Sequence, residues 1–294
     1  MGFIFIFIST AFGITKGFCS KKVSGSVKTL RDNLDISLYR NMIVCVFSLI
    51  TVLLLGDFDV NVTFSEIIIC AIAGIAMAIF ISSWIFAIKS DSYMLVSACA
   101  SSSFIVPAVI GVFFLEENLT LSKGIAFLII IAALFFLLKY NTKLNGRITA
   151  KSLLLLATVL LSQGINQAMQ KMYTYYIPEK DVSYFTLYSA IFTVLSILIM
   201  IPFAKKDKSS EKISVLQQPK VLLYATLMAL GLFGHSYFQA LAAKSVDAII
   251  LYPVSSALAL GGASAMSAIF FGEKMNRDSI IGVILVFVAM LFAR

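Results

Sequence analysis

The chain has 294 residues, of which 60% are hydrophobic and 13% charged, and its mean hydropathy is +0.97. A soluble domain has roughly 25% charged residues, so this composition excludes an ordinary globular core and makes the bilayer the expected solvent. The net charge of +8 would suggest nucleic acid in a soluble protein; here the lysines and arginines fall between apolar runs, where anionic head groups and the positive-inside effect account for them, and no nucleic-acid partner is expected.

Runs of about 20 apolar residues, the length that crosses the hydrocarbon, recur near 1–18, 41–56, 64–88, 92–115, 121–139, 152–172, 182–204, 221–243, 248–272 and 279–294. They predict an all-α, multi-pass integral membrane protein of about ten transmembrane helices. The first run begins at Met1 without a charged n-region and has no small-residue cleavage site after it, so it is expected to stay as a permanent helix. Lys16 in that run and Arg40 at the start of the second are expected to snorkel toward head groups. Cys19, Cys45, Cys70 and Cys99 lie in or at the ends of runs without metal-type spacing and are expected to pack as small apolar residues.

Polar residues inside the runs mark candidate solute contacts. Ser83 and Trp84 in the third run and Tyr184 and Tyr188 in the seventh offer aromatic walls and hydroxyls, or else interfacial anchors; anchoring is the expectation for Tyr184. In the sixth run Gln163, Asn166, Gln167 and Gln170 fall at i, i+3, i+4 and i+7, which predicts one amide-lined helix face. Amides offer donors and an acceptor, suited to a zwitterionic or polyhydroxyl solute. The alternative is hydrogen bonding between helices.

In the eighth run Gly231, His235 and Gln239 share a face, with Tyr237 and Phe238 beside them. His235 is the one histidine of the chain. An intramembrane ionisable group points to function, here substrate binding or proton transfer; the alternative is a neutral imidazole bonded to a backbone carbonyl. The ninth run has Ser255, Ala259, Ala263 and Ser267 at every fourth position, and the fourth has Ser97 and Ser101 ahead of Pro107. These small residues predict a tight seam between helices.

The chain also repeats itself. Phe113-Phe114-Leu115-Glu116 is echoed by Phe270-Phe271-Gly272-Glu273, Ala87-Ile88-Lys89-Ser90 by Ala242-Ala243-Lys244-Ser245, and Gly13 by Gly164. Two five-helix units follow, 1–141 and 150–294. An odd number of spans per unit inverts the second, placing Lys89 and Lys244 on opposite faces of the membrane. Inverted repeats of this kind are built around a substrate site near the bilayer midplane.

In these paired motifs, with Gly124 and Gly282 inside the fifth and tenth runs and serine-rich fourth and ninth runs, the chain resembles the drug/metabolite transporter superfamily with paired EamA-type repeats. Phe12-Gly13 and Gln163-Gly164 stand where such proteins often have Trp-Gly. The resemblance implies ten helices, alternating access, both termini in the cytoplasm and residence in the plasma (inner) membrane.

All fifteen Asp and Glu fall in connections or at helix ends. Carboxylate-based proton or sodium coupling is therefore not expected. Glu116 and Glu273, at the ends of apolar runs, are expected to serve helix ends, with Thr120 or Ser122 and Asn276 or Asp278 as caps. Most of the 23 lysines and arginines fall in odd-numbered connections, which by the positive-inside rule would place these in the cytoplasm and the termini outside, the reverse of what the resemblance implies.

No Gly-rich phosphate loop, metal-ligand cluster or base beside the serines occurs, so an enzyme, a cofactor and a metal are not expected. The reading is a secondary transporter exporting a small polar metabolite, an amino acid or related solute, as a monomer or homodimer. Efflux of lipophilic cations and a non-transporting scaffold are the alternatives.

Overall fold

The computed structural model describes residues 2–55, 61–91, 93–115, 120–122, 124–125, 128–129, 132–133, 135–136, 149–204, 215–270, 272 and 277–292. Among these residues the secondary structure is helical throughout, without strands. In chain order the helices are α1 (Gly2–Ser24), α2 (Leu30–Leu55), α3 (Phe64–Ser90), α4 (Tyr93–Ser101), α5 (Ile105–Phe114), α6 (Ala150–Tyr176), α7 (Val182–Met200), α8 (Pro219–Ser245), α9 (Ala248–Phe270) and α10 (Arg277–Phe292). Seven helical stretches of the described residues are long and apolar enough to cross a membrane, with α4 and α5 counted as one stretch; shorter apolar helices run over Leu251–Ala263 and Ile280–Ala289. The expected fifth span, near 121–139, and the motif glutamates Glu116 and Glu273 lie largely or wholly outside the described residues.

The distribution of polarity is that of a membrane protein. Leu54, Phe64, Leu154 and Ile199 face outward, whereas Asn33, Arg40, Asn41, Gln163, Gln167, Gln170 and Gln239 are buried among the helices. An apolar exterior of this extent is unstable in water and suits lipid. The chain is an all-α integral membrane protein.

Caps and prolines set the helix limits. Thr29 and Asp32 form a reciprocal capping box at the start of α2, with N···O distances of 3.1 Å and 3.0 Å. Thr63, Thr149 and Asp181 accept backbone N–H groups at the starts of α3, α6 and α7. A 3₁₀ turn, Ser102–Phe104, joins α4 to α5. Pro107 cannot donate to the carbonyl four residues back, that of Ser103, and this carbonyl instead faces Gly164 on α6.

The strongest helix contacts cross between the two halves of the chain. α1 packs along α8 and α6 along α3; α2 meets α7 and α4 meets α9. Close approach of α1 and α8 depends on glycine: a Cβ on Gly231 would meet the Phe12 carbonyl oxygen at 2.9 Å and the Lys16 nitrogen at 3.0 Å.

The two ends of the bundle are held by lysines. Lys21 Nζ donates to the Ile88 carbonyl at 3.1 Å, and Lys89 Nζ to that of Val27 at 2.7 Å. Lys171 Nζ donates to the Ala243 and Val246 carbonyls at 3.1 and 3.0 Å, and Lys244 Nζ to that of Lys180 at 2.8 Å. Each lysine satisfies carbonyls at or just beyond a helix C-terminus, where cations are favoured. Gly2, at the start of α1, lies against Ser245 and Val246, whereas Val27 follows its end. At about 1.5 Å rise per residue, the clasp at Lys89 and the clasp at Lys244 are separated by the length of α1. Arg31 donating to Ile201 at 3.3 Å and Ser152 donating to Asp91 share the Lys89 end. Lys180, bonded to Asn61 and to Glu66, shares the other.

Candidate functional site

Between the ends, α1, α3, α4, α6, α8 and α9 enclose a cavity of about 90 Å³. At roughly 10–15 Å³ per water position, it has room for a small solute or a few waters. Its polar wall comes from Lys16, Trp84, Gln163, Gln167, His235 and Gln239, together with Ser97, Ser101, Ser255 and Ser256. Apart from Ser101, the last residue of α4, each lies inside its helix, so the cavity sits between the two ends of the bundle.

Several of these polar atoms are buried without a hydrogen-bond partner: Trp84 Nε1, Gln163 Oε1, Gln239 Nε2 and the hydroxyls of Ser97 and Ser255. A buried polar group left unpaired costs about 1–3 kcal/mol. Five such groups gather around this cavity, and others occur away from it, at Arg40, Ser48, Gln170 and Ser183. Gln167 is more constrained. Its Oε1 accepts from Ser103 Oγ at 3.0 Å and its carbonyl from Tyr252 at 2.7 Å.

His235 is tied to α1. Ser9 Oγ donates to the His235 carbonyl at 2.9 Å, and Nδ1 lies 3.1 Å from the Ser9 carbonyl. A carbonyl oxygen only accepts, so Nδ1 is the donor in that second contact; Ser9 Oγ lies 3.0 Å from the same nitrogen. Of the two expectations for His235, the bond to a backbone carbonyl is present, and the ring lines the cavity as well.

The amides of α6 do not present one face. Gln163 and Gln167 line the central cavity, whereas Asn166 and Gln170 line a separate pocket of about 20 Å³ with Asn41, Thr193 and Ser236. Asn166 Nδ2 donates to the Ala73 carbonyl at 3.1 Å and Gln170 Nε2 to that of Ser236 at 3.0 Å. The expected stripe spans about 100° of helix circumference, wide enough for neighbouring helices to divide it. Asn166 and Gln170 tie helices together, the alternative weighed for the whole stripe.

Ser83, Tyr188 and Tyr237 stand apart from the lining of the central cavity. Ser83 Oγ donates to Ile79 of its own helix at 2.8 Å, Tyr188 packs on Tyr184 with ring centroids 6.0 Å apart, and Tyr237 stacks on Phe233 at 5.8 Å. Tyr184 is buried, with Lys180 Nζ 5.6 Å from its ring centroid; anchoring at a lipid interface does not describe it. A wider recess of about 1090 Å³ opens here, at the Lys244 end, lined by Asn61, Lys180, Asp181, Tyr184 and Lys244 among others.

The small residues of α4 and α9 do more than form a seam. The two helices pack together, yet Ser97, Ser101, Ser255, Ala259 and Ala263 also line the cavity. The two expected snorkelling cations are corrections. Arg40 is 3% exposed and keeps Nε and Nη2 without partners; Lys16 lines the cavity, its Nζ 5.6 Å from the Phe80 ring centroid. Arg40 looked terminal because the apolar run begins at residue 41. The helix itself begins at Leu30, and its polar first turns are covered by protein: Leu34 and Ile36 are fully buried and Asn33 donates to Ser82 at 2.8 Å.

No family model and no curated protein matches this chain. Solved structures match in fold. One, described only as "Crystal structure of protein", covers 99% of this chain and 95% of its own with a TM-score of 0.60 at 13% sequence identity, a likeness of architecture over nearly the whole length of both.

Proposed function

We propose that the chain is an EamA-type secondary transporter of the drug/metabolite kind, built from two inverted five-helix repeats and exporting a small polar metabolite across the plasma (inner) membrane by alternating access. The observation that supports it most is the central cavity with unpartnered polar atoms contributed from both halves, Trp84 and Ser97 from the first, Gln163, Gln239 and Ser255 from the second. Substrate sites at the interface of repeats are the rule for such carriers.

Two further features support the repeat. The helix contacts exchange in pairs, α1 with α8 matched by α6 with α3, as a two-fold axis in the membrane plane would require. The lysine clasps are duplicated as well: Lys21 to Ile88 with Lys89 to Val27, and Lys171 to Ala243 with Lys244 to Lys180. Ile88 and Ala243 hold the same place in the two Ala-x-Lys-Ser motifs, and the two clasps lie at opposite ends of α1. In an alternating-access cycle, clasps at the two ends would be broken in turn to admit and release the solute.

The test is counterflow in proteoliposomes loaded with a panel of amino acids and related solutes. The expected result is exchange of labelled solute by the wild type, with Gln167→Ala and His235→Ala impaired while the folded protein is retained. Wild-type protein that exchanges nothing from the panel overturns the transporter reading; undiminished exchange in both variants overturns the site. Efflux of lipophilic cations finds less support, because a cation, Lys16, already lines the cavity.

A further inference from the structure

Among the described residues, two basic side chains of the interior, Lys16 and Arg40, have no carboxylate partner. Lys16 lines the central cavity together with His235, and Arg40, from α2, lies outside that lining. Arg40 is buried with two guanidinium nitrogens unpartnered. The described carboxylates close to mid-chain positions are already committed elsewhere: Asp35 to Arg31 at 3.0 Å, Glu66 to Lys180 at 2.8 Å and to Tyr173, and Asp91 to Ser152. Among the described residues none lines the cavity, and by sequence the remaining acids lie outside the apolar runs.

An uncompensated cation in a membrane interior is strongly unfavourable and ordinarily marks a substrate or ion pathway. Beside these cations the cavity offers N–H donors, Trp84 Nε1 and Gln239 Nε2, both without acceptors. Carboxylates and phosphates are recognised by such a combination of cation and N–H donor.

We infer that the missing counter-charge is the substrate itself: an oxyanion, carboxylate or phosphate, that enters the central cavity against Lys16 and the Trp84 and Gln239 donors, with the buried Arg40 of α2 as the second interior cation. This rests on the transport reading and narrows it from polar metabolites to anionic ones. Binding then neutralises the interior before the solute crosses. A neutral or cationic solute would leave Lys16 and Arg40 uncompensated.

The test is thermal unfolding of the purified full-length protein in neutral detergent with four probes: succinate, inorganic phosphate, the neutral diamide succinamide, and phosphatidylglycerol. Succinate or phosphate is expected to raise Tm and succinamide to leave it unchanged. Lys16→Gln and Arg40→Gln are each expected to weaken the anion effect about tenfold or more, Lys16→Arg to retain it. Without ligand both Gln variants are expected to melt no lower than wild type, since each removes an unpaired buried charge.

The inference falls if neither anion shifts Tm, if succinamide matches succinate, if the Gln variants respond as wild type does, or if they fail to fold. A shift produced by phosphatidylglycerol alone assigns the cations to a lipid headgroup and overturns the substrate role. Counterflow separates the two levels: exchange of a neutral or cationic solute, undiminished by Lys16→Gln, leaves the transporter standing and removes the anion.

Discussion

Lys171→Met is the sharpest perturbation of the clasp at the Lys244 end. The lysine ammonium donates to two carbonyls, Ala243 and Val246, at 3.1 and 3.0 Å. Interhelical hydrogen bonds in membranes average about 0.6 kcal/mol and reach about 1.7, so the loss of two removes about 1–3 kcal/mol from the closed state of that end. This corresponds to a shift of about fivefold to 150-fold in the open-to-closed ratio. Lys21→Met removes one bond, at 3.1 Å, and so about threefold to twentyfold, at the opposite end. A Ser256→Cys reporter in a background lacking the four native cysteines, in a residue that lines the cavity, reads the change by labelling with an impermeant thiol reagent applied from each side of the membrane. Lys171→Met should raise labelling from the face bearing Gly2 and Lys244, and Lys21→Met from the face bearing Lys89. If both variants raise labelling from the same face, or neither alters it, the clasps are not gates.

Three other outcomes are expected. Gly231→Ala places a Cβ 2.9 Å from the Phe12 carbonyl oxygen, so α1 must shift, at a cost of about 1–3 kcal/mol; unfolding in denaturing detergent should show this loss, whereas Gly25→Ala, with no atom within 4 Å of its Cβ, should not. Glu66→Gln leaves Lys180, its partner at 2.8 Å, without a carboxylate in a buried setting and should destabilise by about 3 kcal/mol or more in the same assay; an unchanged midpoint would mean that the Asn61 carbonyl suffices. Trp84→Phe removes an unpartnered N–H while keeping an aromatic wall; ligand affinity measured by thermal shift should fall roughly tenfold, with unliganded stability within about 1 kcal/mol of wild type.

The seven spanning stretches of the described residues are written in the apolar runs, because a bilayer demands length and hydrophobicity and little else; the expected fifth run lies largely outside the described residues. The side on which a polar residue ends is less legible. Gln163 and Asn166 are three residues apart, yet one reaches the cavity and the other the Ala73 carbonyl; which neighbour covers each edge of the helix depends on tertiary packing. Arg40 misled because hydropathy marks where a helix meets lipid, and the first turns of α2 meet protein. Lys16 is a cavity residue for the same reason: Phe80 and Tyr93, distant in sequence, line the cavity with it. His235 is readable as an isolated ionisable group in an apolar run, and of the expectations attached to it the bond to a backbone carbonyl is present.

If the two halves are the repeats proposed above, they differ in the cavity and resemble one another more closely at the ends. Aligning the two Ala-x-Lys-Ser motifs sets Phe80 against His235, Trp84 against Gln239 and Ser101 against Ser256, and aligning Gly13 with Gly164 sets Lys16 against Gln167. Each of these eight side chains lines the same cavity, so equivalent positions of the two halves face one another across it. In three of the four pairs the chemistry is unlike: cation against amide, ring against imidazole, indole against amide. At the ends the carbonyls Ile88 and Ala243 correspond, although the lysines that reach them, Lys21 and Lys171, are one place out of register in the Gly13–Gly164 alignment; Lys89 and Lys244 are aligned and donate to carbonyls just past the first helix of each half. A solute has a charged end and an uncharged end, and a two-fold-symmetric cavity would recognise neither orientation over the other. The two closures are not held alike, since Lys171 donates to two carbonyls and Lys21 to one. On the transport reading proposed above, divergence in the cavity is what the recognition of an asymmetric solute requires.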